Sequence, residues 1–91
     1  MPYILFAATL LTPLAAEAMV CRAAPLVLRI TLQDTACLVG GDTAIRRDTA
    51  EGVECLLSNP QLRIITLRPD GRFRYLDTDN DTQREGVCTP E

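Results

Sequence analysis

Apolar and polar residues alternate along PLVLRITLQ, with Leu26, Leu28, Ile30 and Leu32 on one parity and Val27, Arg29, Thr31 and Gln33 on the other. A period of two puts alternate side chains on opposite faces of an extended chain, so this stretch predicts a half-buried strand, closed by the turn formers that follow it in QDT. TACLV then predicts a short second strand around Cys37, ended by Gly40-Gly41-Asp42.

The segment LRIITLRPDGRFRYLD predicts a hairpin. In Pro69-Asp70-Gly71 the proline presets the first turn dihedral, the aspartate tolerates the second, and the glycine takes the positive φ that closes a three-residue loop. Pairing Arg68 with Arg72 sets the register. Leu67 then faces Phe73, Ile65 faces Tyr75 and Arg63 faces Asp77, so one face carries four large apolar residues ending in an ion pair and forms the expected core. The other face sets Thr66 against Arg74 and Ile64 against Leu76.

The middle of the chain, RRDTAEGVECLLSNP, carries two patterns. As a helix, Asp48 caps the start with Glu51 as its capping-box partner, Ala50, Val53, Leu56 and Leu57 form the buried stripe, and Asn59-Pro60 ends it. As a strand, Val53, Cys55 and Leu57 alternate inward and Gly52 marks the preceding turn. Local pattern does not separate them. The fold class is therefore a small β-rich domain with an antiparallel sheet, or α+β with one short helix if residues 49–57 are helical.

The first stretch is apolar from Tyr3 to Ala16 apart from two threonines and Pro13, and then meets Glu17. Ala16 and Ala18 supply the small-x-small pattern of a secretory cleavage site, although the segment has no Lys or Arg at its start. Glu17 interrupts the run before it reaches the roughly 20 apolar residues of a spanning helix. Residues 1–18 are accordingly expected to be a signal peptide and residues 19–91 a single exported domain, periplasmic or secreted. Membrane contact is expected only through the N-terminal segment if it is retained.

Export changes the meaning of the cysteines. Cys21, Cys37, Cys55 and Cys88 all survive cleavage, and a domain this small usually needs staples, so two disulfides are expected. Four cysteines allow three pairings, and spacing does not choose among them. Cys21 with Cys88, tying the two ends, and Cys37 with Cys55 is the preferred arrangement. Structural zinc calls for close pairs such as C-x-x-C, and the chain has none.

The chain lacks histidine, and all nine of its basic residues are arginine. Histidine-based nucleophilic catalysis, histidine-liganded metals and lysine Schiff bases fall away. A net charge of −3 argues against nucleic acid as a partner, and two tyrosines with two phenylalanines make a poor stacking platform. No catalytic, cofactor-binding or metal-ligating residue is assigned.

Two features remain. Arg68, Arg72 and Arg74 share one hairpin face and suit a carboxylate, a phosphate or an acidic protein surface, although strands also use charge simply to keep their edges from pairing. In DTDNDTQREGVC, Asp77, Asp79 and Asp81 alternate as the first ligands of a calcium loop do, but Thr82 stands where glycine belongs and Cys88 where the bidentate glutamate belongs. The plain reading of that stretch is a solvated acidic turn leaving the last strand.

The expected function is a monomeric, non-enzymatic binding or accessory module. Its partner is a protein or an envelope component met through Arg68, Arg72 and Arg74. An inhibitor of an exported enzyme is one special case, with the Pro69-Asp70-Gly71 tip inserting. The alternatives are a calcium-dependent module using Asp77 to Asp81 and a small hydrolase using Glu51, Glu54 and Glu85.

Overall fold

The computed structural model describes residues 17–58 and 61–91. The expectations placed on residues 1–16 and on Asn59-Pro60 lie outside the described residues, and β1 starts at Glu17, two residues ahead of the expected mature start.

Eight strands follow in sequence order: β1 (Glu17–Ala23), β2 (Leu26–Leu32), β3 (Ala36–Val39), β4 (Asp42–Thr49), β5 (Gly52–Leu57), β6 (Arg63–Leu67), β7 (Arg72–Asp77) and β8 (Thr82–Pro90). Each is antiparallel to its chain neighbour, and β8 returns to β1, so the sheet closes into an up-and-down barrel. Closure pairs the sheet's two end strands, which an open sheet would leave with unpaired N–H and C=O groups.

The expected registers of the hairpin are present. Arg63 pairs with Asp77, Ile65 with Tyr75 and Leu67 with Phe73. The turn closes with the Arg68 N–H donating to the Arg72 carbonyl at 2.9 Å and the Gly71 N–H to the Arg68 carbonyl at 3.1 Å. In β2 the alternation also holds, with Ile30 fully buried and Val27 59% exposed.

Residues 49–57 are not helical, and no helix occurs among the described residues. Thr49 pairs with Gly52 across a tight turn, and β5 runs on with Cys55 and Leu57 buried inward. The deciding residue is Gly52. Its φ is +144°, outside anything a helix uses, and a Cβ there would lie 2.0 Å from the Leu67 carbonyl oxygen. Asp48, the expected helix cap, lies within β4 and accepts from Arg46 Nε at 2.9 Å.

Three strands were not legible as such. In β1, β4 and β8 the inward positions include glutamate, aspartate, arginine, glycine and cysteine as well as apolar residues, so the hydrophobic alternation is weak. The acidic stretch after Asp77 is consequently a turn between β7 and β8, not the exit from a last strand.

The barrel is filled by its inward side chains. Phe73, Ile30 and Ile65 pack with Cys21, Cys37 and Cys55, all fully buried or nearly so. Outward positions mix charged residues such as Arg47, Glu54, Arg74 and Glu85 with exposed apolar ones such as Val27, Ile45 and Val87.

Both disulfides lie in this interior and follow the preferred pairing. Cys21–Cys88 joins directly opposed residues of β1 and β8, inside the closing seam. Cys37–Cys55 links β3 to β5 across β4. A flat sheet would hold residues two strands apart at about 10 Å. Their Cα atoms are 5.9 Å apart, so the sheet folds sharply about β4. Ala44, buried and opposite Cys37, leaves room for the bridge.

Candidate functional site: the arginine-bearing end of the barrel

In an up-and-down barrel, successive turns alternate between the two ends. The β2–β3, β4–β5 and β6–β7 turns therefore share one end with Glu17 and Glu91. The Pro69-Asp70-Gly71 tip rises at this end. Asp70 Oδ1 accepts the Arg72 N–H at 3.0 Å, which explains an aspartate at that turn position, and Oδ2 lies 3.8 Å from Arg72 Nε.

Arg68, Arg72 and Arg74 share the outer parity of the hairpin, but their surroundings differ. Arg74 pairs with Glu85 on β8 and approaches Glu51 at 3.9 Å. It belongs to an outer row Arg47, Glu54, Thr66, Arg74, Glu85 that alternates in charge across five strands and buries Thr66. Arg72 sits in the next row towards the tip, where it pairs with Val87, Val87 with Arg22, and Arg22 with Val27. Among the described residues the Arg68 guanidinium has no ion-pair partner.

Sequence reasoning missed Arg22, Val27 and Val87. They join the arginine face only because β8 closes onto β1, and both valines are more than half exposed there. No local signal could have placed Arg22 beside a hairpin that begins some forty residues later.

The same end holds a cavity of about 380 Å³. Met19, Leu32, Val53 and Leu67 line it with apolar surface, Pro69 and Pro90 flank it, and Arg68, Arg72 and Glu17 stand around it. Strands of very different sequence position supply these residues, so the cavity had no signature in the sequence.

The carboxylates of the hydrolase alternative each lie beside an arginine. Glu54 accepts from Arg47 Nε at 3.0 Å, and Glu51 and Glu85 neighbour Arg74. Glu54 and Glu85 are three strands apart in one row, about 14 Å at normal strand spacing, against the roughly 5 to 9.5 Å of glycosidase pairs.

At the opposite end, the acidic turn is organised around Asp77. Its carboxylate accepts from Gln61 Nε2 at 3.2 Å, Asn80 Nδ2 at 3.1 Å and the Asp79 N–H at 3.2 Å. Among the described residues no group of three or more acidic or cysteine side chains is placed to hold a metal ion.

Burial pushes the Asp77 carboxyl upward. Hydrogen bonds from the Gln61 and Asn80 side chains and from the Asn80 and Asp79 N–H groups more than offset it, leaving the carboxyl below the ordinary carboxylate range. A group lowered in the folded state stabilises the fold above its unfolded value, near pH 4, and that stabilisation disappears as pH falls through the folded value. Asp77→Asn should therefore flatten the loss of stability below about pH 4. Urea midpoints measured from neutral to acid pH report it, and parallel profiles for both proteins would contradict the assignment.

The fold and the site define a small closed antiparallel barrel, braced inside by two disulfides and bearing Arg68 and Arg72 at the end where the cavity opens. Comparison with protein-family models, with curated proteins and with solved structures returns no match to this chain. The fold's class is carried by its own topology.

Proposed function

We propose that the protein is an exported, non-enzymatic binding module that meets an acidic protein or envelope component through its arginine face. The observation that carries this reading is the row Arg72, Val87, Arg22, Val27, where cations alternate with exposed valines across the closing seam, with Arg68 beside Arg72 at the turn. In a chain of net charge −3 this is a local reversal of sign, and it favours a negatively charged partner. The valines add apolar area to the same strip. Two disulfides fit an oxidising compartment. They also hold the face rigid, so that little order has to be imposed on binding.

Charge reversal tests the choice of face. Arg22→Glu combined with Arg72→Glu should weaken capture of the partner from the envelope fraction by about tenfold or more, while Arg84→Glu on β8, outside this face, leaves capture unchanged. Undiminished capture by the double variant refutes the choice of face.

A further inference from the structure

The cavity at the arginine end meets the outer strip at Arg68 and Arg72 but has a different chemistry. It is concave, its volume of about 380 Å³ lies in the range of small-ligand sites, and its walls are Met19, Leu32, Val53 and Leu67. An apolar hollow in the mouth of an eight-stranded barrel is where such a fold holds one small molecule. The polar groups around it are few. Arg68 is half-buried and without an ion-pair partner among the described residues, and Arg72 stands beside it.

We propose that this mouth binds a single-chain amphiphile with an anionic head, its tail against Met19, Leu32, Val53 and Leu67 and its head on Arg68. Charge complementarity selects the head: an unpaired guanidinium at the edge of an apolar hollow favours a carboxylate or phosphate over a neutral or cationic group. Volume limits the tail. At about 30 Å³ per water-sized group, the hollow holds roughly a dozen non-hydrogen atoms.

The inference rests on the export reading in one respect. Glu17 and Ala18 line the same cavity, and cleavage after Ala18 removes both. It takes a negative charge from the mouth and leaves the α-ammonium group of Met19 there, beside Arg68 and Arg72. The four closing pairs, from Met19↔Pro90 to Arg22↔Val87, all lie downstream and survive trimming, which gives up the Glu91 N–H bond to the Ala18 carbonyl and the two outermost β1–β2 pairs. Processing thus opens the site and makes it more cationic while the four closing pairs remain.

The test uses the protein recovered after export. Intact mass first reports its initial residue, and a chain starting upstream of Met19 refutes the processing step on its own. The recovered protein is then titrated with decanoate, decyltrimethylammonium and acetate, all below micellar concentration, by calorimetry and by thermal midpoint. Decanoate should bind with one molecule per chain and raise the midpoint. The cationic amphiphile and acetate should bind at least about tenfold more weakly, and Arg68→Ala should lose about tenfold for decanoate alone. Val53→Phe, which fills the hollow from β5, should abolish binding while Arg68 is kept. Equal binding of both amphiphiles, a midpoint lowered by decanoate, or undiminished binding by Arg68→Ala overturns the site whatever the first residue proves to be.

Discussion

Replacing Cys21 and Cys88 together by alanine should cost about 4 kcal/mol, and replacing Cys37 and Cys55 about 3 kcal/mol, because the bridges close loops with separations of 67 and 18 residues. Either loss is a large share of the roughly 5 to 15 kcal/mol that holds a small domain together. The order follows from topology as well as from loop length. The β1–β8 seam joins the two ends of the chain through four residue pairs, whereas β1 and β2 share seven. Bringing such distant segments together is the most entropically demanding step of closure, and Cys21–Cys88 sits within that seam. Urea unfolding of the two double variants measures the difference. A loss below about 1 kcal/mol for Cys21 and Cys88 would mean that strand pairing alone closes the barrel.

The second large effect is expected at Gly86. This residue lies on β8 just before the closing pairs begin, and a Cβ there would stand 2.0 Å from the Arg22 carbonyl oxygen and 2.9 Å from Ala23 Cβ. Neither obstacle is the free end of a flexible side chain. An added methyl must push β1 away from β8 or bend the backbone, and overpacking of this kind costs about 3 kcal/mol. Gly86→Ala should therefore lower the urea midpoint markedly and increase hydrogen exchange at Val20 and Thr89, in the seam, before exchange rises at Cys55 on β5, across the barrel. Uniform exchange across the barrel would place the damage elsewhere. Gly41→Ala is a useful contrast, since nothing lies within 4 Å of a Cβ at that turn, although its φ of +94° adds backbone strain of its own.

The proposed roles of the arginine face and the mouth cavity should respond to different substitutions, which separates them. Arg22 and Val87 belong to the outer strip alone, and Val53 to the cavity alone. Arg68 and Arg72 stand at the junction of the two. A partner that reads the strip feels charge reversal at Arg22, whereas a ligand in the mouth feels the filling of Val53.

Local pattern determined a good part of this molecule. The alternation in β2, the Pro69-Asp70-Gly71 turn and the register from Arg63↔Asp77 to Leu67↔Phe73 were readable because each depends on residues a few positions apart. The four cysteines set the need for staples, and the arginines of one hairpin marked a face. At residues 49–57 local pattern was divided, since the same apolar positions fit a stripe or an alternation. There the close approach of Gly52 to Leu67 decided for the strand, a contact made only once β6 lies beside β5.

Tertiary structure alone decided the rest. Closure of β8 onto β1 supplied the pairing partners of strands whose mixed inward positions announce nothing, and it brought Arg22 to the arginine face. The fold about β4 placed Cys37 within reach of Cys55, and the shared end of alternate turns assembled the mouth from β1, β2, β5 and β6. The physical reason is the same in each case. A strand's alternation records which of its faces is buried, but not which distant strand will lie next to it, and the candidate sites here are built from those distant neighbours.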